Sequence, residues 1–160
     1  MAEVLVAFGG NIGDARKTIA RAIEAFCKSP LVQLRARSSD YRTPPWGVTE
    51  QPPFINAGIA VTTFLSPHDL LARARDIETQ FGRDRSKQQR WGPRAIDIDL
   101  IAYDDVVLDD DTLTLPHPRT GERAFVLVPL AEIAPGYRIG AETVRDLLAR
   151  VDTTGIEKLP

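Results

Sequence analysis

The sequence of 160 residues predicts a single α+β domain spanning residues 1–160. Its length lies within the usual range of roughly 100–200 residues for one domain. Hydrophobic residues make up 43% of the chain and charged residues 26%, which is enough to bury a core of ordinary size. Segments with strand and helix patterns follow one another in the order βαββαβ, and this order favours one sheet packed against helices.

The first two segments are a strand and a helix. Residues 4–8 are almost wholly apolar and end at a glycine pair, which is typical of a central strand buried on both faces. Asp14 is placed to cap a helix with apolar residues at three- and four-residue spacing, namely Ile19, Ala22, Ile23 and Phe26. The chain therefore begins with one βα unit.

Two strands and a second helix follow. Residues 34–41 have strand character, and residues 54–64 are rich in β-branched and aromatic residues, with a proline-rich loop between them. Ser66 as the cap and Pro67 at the first helical position open a helix whose apolar stripe ends at Gly82.

Residues 95–103 predict the last strand of the core. Residues 125–131 are apolar but interrupted by Pro129, which predicts a short strand or turn passing into a helical piece. Thr143, with Asp146 three residues later, predicts a final short helix. The whole order predicts the ferredoxin-like arrangement, with both main helices on one face of a largely antiparallel sheet and additions at the C-terminus.

Composition excludes several classes of protein. Twenty Lys and Arg against 22 Asp and Glu leave a net charge of −2, so no positive field favours non-specific nucleic-acid binding. The single cysteine, Cys27, excludes an internal disulfide framework and a zinc knuckle. No apolar run reaches the roughly 18 residues of a membrane span, and no cationic leader precedes residues 4–8. We expect a cytoplasmic protein without a nucleic-acid or membrane partner.

Two opposite charge blocks meet between residues 82 and 111. The first is a basic loop containing Arg83, Arg85, Lys87, Arg90 and Arg94. Asp97 and Asp99 follow, alternating with aliphatic residues, so on a strand both carboxylates project from one face. Neighbouring carboxylates repel each other unless a cation intervenes, and Mg²⁺ binds carboxylate and phosphate oxygens. Because arginine suits bidentate phosphate capture, the two blocks together predict a nucleoside triphosphate site with its metal.

Each block taken alone has a simpler interpretation. A basic loop is more often a solvated surface, and two aspartates on a strand are more often surface charges at its end. Their adjacency in this order is what favours a metal–phosphate site.

A second informative stretch is the proline-rich loop and strand between Tyr41 and Asn56. Trp46 and Phe54 offer flat faces and Asn56 offers a donor and an acceptor, a set that suits a planar heterocycle. The alternative is that both aromatic residues only pack the core or the loop. His117, held between two prolines, is a further candidate that could donate a hydrogen bond to a phosphate.

Five sequence blocks in order resemble the 6-hydroxymethyl-7,8-dihydropterin pyrophosphokinase family of folate biosynthesis, over residues 4–135. The blocks are Gly9-Gly10-Asn11-Ile12-Gly13-Asp14, Tyr41-Arg42-Thr43-Pro44-Pro45, Phe54-Ile55-Asn56, Arg90-Trp91-Gly92-Pro93-Arg94 through Asp97-Ile98-Asp99, and Leu115-Pro116-His117-Pro118 with Phe125-Val126-Leu127. The resemblance implies a small ferredoxin-like enzyme. It also implies transfer of the β,γ-pyrophosphoryl group of ATP to the pterin hydroxymethyl group, with release of AMP and a need for two Mg²⁺ ions.

The resemblance also implies residue roles. The catalytic residues would be Arg83, Arg94, Asp97 and Asp99, of which Asp97 and Asp99 hold the metals. The pterin would contact Thr43, Pro44, Trp46, Phe54, Asn56 and Phe125, with Phe54 and Phe125 on its two faces. The ATP side would include Glu78, Arg83, Arg85, Arg90, Trp91, Arg94, His117 and Arg123.

The sequence departs from the family pattern at a few positions. Gly10 stands where serine is usual and Phe54 where tyrosine is common, which affects only the fine orientation of the pterin. Two other functions remain open at this point: a palm-type nucleotidyltransferase, which also uses two metals on such a sheet, and a non-catalytic ligand-binding module of the same fold. We expect a monomer.

Overall fold

The computed structural model describes residues 1–45, 50–82 and 95–160. Predictions for Trp46, Arg83, Arg85, Arg90, Trp91 and Arg94 therefore lie outside the described residues. The strands are β1 (Ala2–Gly10), β2 (Val32–Arg37), β3 (Tyr41–Thr43), β4 (Phe54–Thr63), β5 (Asp97–Tyr103), β6 (Leu108–Asp109), β7 (Thr114–Leu115), β8 (Arg138–Ile139), β9 (Glu142–Thr143) and β10 (Glu157–Lys158). The α-helices are α1 (Ala15–Phe26), α2 (Pro67–Gln80), α3 (Ala124–Ile133) and α4 (Val144–Leu148).

The main sheet has the order β10-β3-β4-β1-β5, and β2 also pairs with β4. Every pairing in it is antiparallel. Strand β1 lies between β4 and β5, so both of its edges are paired. Its side chains enter a core on each face of the sheet, which explains its nearly continuous apolar sequence. The predicted ferredoxin-like α+β arrangement is confirmed.

The two faces of the sheet carry different helices. The side chains of α1 and α2 form one core with Val4, Val6 and Phe8 of β1. Leu5 of β1 faces the other way, into a second core that includes buried residues of α3 and α4. The predicted caps are present: Asp14 accepts from the Lys17 N–H, and the Ser66 hydroxyl accepts from the Asp69 N–H.

The strand predicted over residues 34–41 is wrong in one respect, because the chain forms two strands there. Between β2 and β3, side chains replace part of the regular ladder. The Ser38 hydroxyl accepts from the Gly58 N–H at 2.9 Å, and the Asp40 carboxylate binds Arg37 and Arg16. These side-chain bonds, most of them to residues distant in sequence, replace regular strand pairing and interrupt it.

The prediction for residues 125–131 is also wrong in part, because helix α3 runs through the whole stretch with Pro129 inside it. A proline in a helix interior costs about 3 kcal/mol. Burial of Val126, Leu127 and Leu130 at helical spacing offsets that cost. None of the helices in the described ranges has the length and apolar character needed to cross a membrane.

Candidate active site

The sheet aligns three polar or small residues in one row across its α3 face. Gly9 of β1 is paired with Asn56 of β4 on one side and with Asp97 of β5 on the other. Residues in direct register share a face of the sheet, so the Asn56 amide and the Asp97 carboxylate flank a glycine. The next row on this face contains Asp99, which is paired with Ala7.

Gly9 is required by close approach rather than by backbone conformation. A Cβ atom built at this position would lie 2.5 Å from Oδ1 of Asn56, which is closer than real Cβ contacts. The small residues at positions 7 and 9 therefore leave room beside the carboxylates and the amide. This space becomes the floor of a cavity.

A hydrogen-bond chain fixes the orientation of the Asn56 amide. Its Nδ2 donates to Oγ1 of Thr43 at 2.7 Å, and both residues are buried, with exposed fractions of 9% and 1%. Thr43 lies on β3 and is paired with Phe54 of β4. With Nδ2 bound to Thr43, the Asn56 acceptor atom Oδ1 is directed toward Gly9.

These residues line a cavity of about 90 Å³ between the sheet and the start of α3. Its walls are Ala7, Phe8, Gly9, Thr43, Pro44, Phe54, Asn56, Asp97, Asp99, Arg123, Phe125 and Val126. Phe54 comes from β4 and Phe125 from the first turn of α3, so two different elements supply aromatic rings. The Arg123 guanidinium lies 5.6 Å from the centre of the Phe125 ring, within the range of a cation–π contact.

Without a bound cation, the two neighbouring carboxylates of Asp97 and Asp99 destabilise each other's charged form. Burial is the larger cause and repulsion from Asp97 the second, and together they raise the pKa of Asp99 to about 7, while the charges of Arg75 and Arg123 oppose the rise. A bound cation would relieve this repulsion. Within the described ranges no group of three or more His, Cys, Asp or Glu side chains is placed to hold a metal. Two carboxylates suffice for Mg²⁺, which usually takes one or two from the protein and completes its shell with water and phosphate oxygens.

Two residues predicted on the ATP side lie near the cavity but are not among its described lining residues. Glu78 is only 1% exposed and accepts hydrogen bonds from the Ile98 N–H at 2.8 Å and from Arg75 at 2.9 Å. Ile98 separates the two aspartates, so Glu78 braces the strand that carries them. Burial, together with the Arg123 charge, lowers the pKa of His117 to about 4, so this side chain is neutral at pH 7.

The structure thus brings together eight of the predicted site residues in one cavity: Thr43, Pro44, Phe54, Asn56, Asp97, Asp99, Arg123 and Phe125. Sequence reasoning assigned no site role to the other four lining residues, Ala7, Phe8, Gly9 and Val126. Small residues at alternate positions 7 and 9 were the available signal, but only the strand register shows that they face the cavity.

A pH dependence of stability follows from the raised pKa of Asp99. An aspartate in an unfolded chain titrates near pH 4. Between that pH and about 7 the folded protein binds more protons at this site than the unfolded chain, so the Asp99 contribution to stability falls as pH rises. We expect metal-free Asp99→Asn to melt roughly 2–4 °C above the wild type at pH 8 and to lose most of this advantage at pH 5. Calorimetry with a chelator measures both values, and an equal advantage at the two pH values would contradict the assigned cause.

The fold and the cavity together define a class: small α+β domains in which a carboxylate pair adjoins an aromatic and amide pocket at one face of an antiparallel sheet. A family model described as 7,8-dihydro-6-hydroxymethylpterin-pyrophosphokinase matches residues 5–135. The chain belongs to this family, as the sequence blocks predicted.

Curated relatives cover nearly the same length. A 2-amino-4-hydroxy-6-hydroxymethyldihydropteridine pyrophosphokinase of Methylorubrum extorquens is 50% identical over 159 residues, covering 99% of each chain. The Pseudomonas aeruginosa protein of the same name is 40% identical and covers 99% of this chain and 97% of its own. A mitochondrial folate synthesis bifunctional protein of Pisum sativum is 39% identical over 142 residues, which are 27% of that protein.

Solved structures show the same fold at low identity. The structure of wild-type Plasmodium falciparum HPPK-DHPS with pteroate has a TM-score of 0.72 and 14% identity, covering 93% of this chain. A structure of HPPK-DHPS in complex with substrates has a TM-score of 0.69 and 16% identity over 92% of this chain. The chain spans less than half the length of these solved chains, 42% and 43% respectively.

Proposed function

We propose that this chain transfers the β,γ-pyrophosphoryl group of ATP to the hydroxymethyl group of 6-hydroxymethyl-7,8-dihydropterin. The hydroxymethyl oxygen forms a bond to the β-phosphorus, the bond from that phosphorus to the oxygen bridging to the α-phosphate breaks, and AMP leaves. The hydroxyl proton passes to solvent. One observation carries the proposal: the aromatic and amide pocket and the carboxylate pair line a single cavity, so an acceptor and a phosphate chain can meet there.

The pterin half of the site comes from three elements of the fold. Phe54 and Phe125 present apolar rings from β4 and α3, and stacking on two rings suits a flat heterocycle. Asn56 and the backbone around Thr43 and Pro44 supply donors and acceptors for the pterin edge. Trp46, outside the described residues, is assigned to the same pocket by the family resemblance.

The phosphate half depends on Asp97 and Asp99, which would hold two Mg²⁺ ions. When bound, these ions neutralise charge on the transferring phosphate oxygens. Arg83 and Arg94 are the proposed catalytic arginines. The remaining residues assigned to the ATP side are Glu78, Arg85, Arg90, Trp91, His117 and Arg123. Arg123 is the member of this set that lines the described cavity, and its charge faces Asp99 and Asp97.

The proposal extends to domain organisation, oligomeric state, location and partners. We infer that residues 1–160 form one domain that acts as a monomer in the cytoplasm. Its partners are the small molecules ATP and the pterin, without nucleic acid or membrane.

Product analysis tests the proposed reaction. Purified protein is mixed with Mg-ATP and 6-hydroxymethyl-7,8-dihydropterin, and phosphorus NMR resolves the products; a reaction without pterin is the control. We expect AMP and a pterin diphosphate in equal amounts, and neither without the pterin. ADP would indicate a single-phosphoryl kinase instead. Release of pyrophosphate would indicate the nucleotidyltransferase alternative, and binding without any product would leave a non-catalytic module.

A further inference from the structure

A carboxylate on α3 is bound by Tyr41 of β3, the strand that also carries Thr43 of the pocket, and by Ser39 just before that strand. The Tyr41 hydroxyl donates to Oε1 of Glu132 at 2.6 Å. The Ser39 N–H donates to both carboxylate oxygens, at 3.0 and 3.1 Å, and the Ser39 hydroxyl donates to Oε2 at 3.2 Å. We call these contacts the Glu132 clamp. The partial loss of hydration at the carboxylate acts in the opposite direction, but the bonds from Tyr41 and Ser39, with the nearby Lys158 charge, hold the pKa of Glu132 below its usual value.

Each side of the clamp lies on an element that also carries a pocket residue. On β3, Tyr41 is two residues before Thr43, so the two side chains share a face of the strand. On α3, Glu132 follows Phe125 by seven residues, which is two helical turns, so both side chains lie on nearly the same face about 10 Å apart. The clamp therefore connects the strand that holds Thr43 to the helix that holds Phe125.

Helix α3 also packs on the sheet through apolar side chains. Gly58 lies beneath Leu130: a Cβ atom at position 58 would be 2.7 Å from Cδ2 of that leucine. Apolar packing is non-directional and allows a helix to tilt or slide slightly, whereas hydrogen bonds to a charged group have defined geometry. From the helical rise, a tilt about Leu130 displaces Phe125 roughly two and a half times as far as Glu132.

We propose that Glu132 is a positioning residue for the pterin: the Glu132 clamp sets the separation between Phe125 and the β3–β4 side of the cavity, and so the fit of a planar ring there. This inference rests on the proposed function, since it assumes that the pterin is the molecule between the rings. Glu132 itself is exposed and does not line the cavity within the described residues. Its effect is on where Phe125 lies.

The test compares matched tyrosine substitutions. Tyr41→Phe removes the hydroxyl that binds Glu132, and Tyr103→Phe removes a hydroxyl that donates to the Leu65 carbonyl at the same distance of 2.6 Å, at the other end of β5 from the aspartates. Glu132→Ala removes the whole clamp. Pterin affinity is measured by titration calorimetry with a non-hydrolysable ATP analogue and Mg²⁺ present, and kcat and KM are measured for both substrates.

We expect Tyr41→Phe and Glu132→Ala to raise the pterin Kd and KM roughly tenfold, with the KM for ATP and the kcat at saturation within about twofold of the wild type. The double variant should be no worse than Glu132→Ala, because both changes break the same contact. Tyr103→Phe should lower Tm without moving the pterin Kd. An unchanged pterin Kd in Tyr41→Phe, or an equal change in Tyr103→Phe, would overturn the inference. Failure of the wild type to bind or convert the pterin would instead overturn the proposed function.

Discussion

Replacement of either aspartate of the carboxylate pair, as Asp97→Ala or Asp99→Ala, is expected to reduce the rate of AMP formation by at least about 10³-fold while the pterin Kd stays within about threefold. Metal ions supply several kcal/mol of transition-state charge stabilisation in such transfers, and each 1.36 kcal/mol is worth about tenfold in rate. The pterin pocket is formed by other side chains, chiefly Phe54, Asn56 and Phe125. The loss should therefore fall on kcat rather than on pterin binding.

The same two variants separate a chemical role from a structural one. Asp97 and Asp99 repel each other in the metal-free protein, so removing one of them should leave Tm unchanged or raised. The matched control is Asp111→Ala, which removes an exposed carboxylate from the hairpin segment between β6 and β7 and should keep full activity. Turnover that survives in both Asp97→Ala and Asp99→Ala would refute the assignment of the pair to the metals.

A second large loss of pterin binding is expected when a single methyl group is added at position 9. Gly9→Ala places a Cβ atom 2.5 Å from Oδ1 of Asn56, so either the amide or strand β1 must move. Moving the amide breaks its 2.7 Å bond to Thr43 and redirects the group proposed to bind the pterin edge. Because misplacement by about 1 Å costs on the order of 10²-fold, we expect the pterin KM to rise about 100-fold. Overpacking should also lower the free energy of unfolding by roughly 1–3 kcal/mol.

Gly136→Ala is the control for this substitution. A Cβ atom there meets no heavy atom within 4 Å. The free energy of unfolding should therefore stay close to that of the wild type, and the pterin KM should change by no more than about twofold. Steady-state kinetics and thermal melts of the two alanine variants give the comparison. If Gly9→Ala binds the pterin as tightly as Gly136→Ala does, the row Asn56–Gly9–Asp97 does not form the floor of the binding site.

Local sequence signals predicted most of the elements because they depend on neighbouring residues. The caps at Asp14 and Ser66 are formed by side chains that bond to N–H groups three residues later, and the sequence shows such spacing directly. The alternation of Asp97 and Asp99 with aliphatic residues predicted a strand with both carboxylates on one face, and β5 begins at Asp97.

The errors arose where a long-range contact outweighed the local pattern. Pro129 favoured a break in the segment 125–131, yet burial of that segment against the sheet keeps it helical. The strand predicted over residues 34–41 is interrupted because the Ser38 hydroxyl takes the N–H of Gly58, twenty residues away in sequence. No local pattern shows which distant amide a serine will meet.

The sequence by itself determined the chemistry available to this protein: the carboxylate pair, the adjacent basic segment, the aromatic and amide residues, and the family to which they belong. Tertiary structure alone decided how these groups meet. Register places Gly9 between Asn56 and Asp97, two residues that are 41 positions apart in the sequence, and so opens the cavity floor. The Glu132 clamp likewise joins Ser39 and Tyr41 to a residue more than 90 positions later. Both depend on pairing between distant segments, which forms only when the whole sheet and its covering helix pack together.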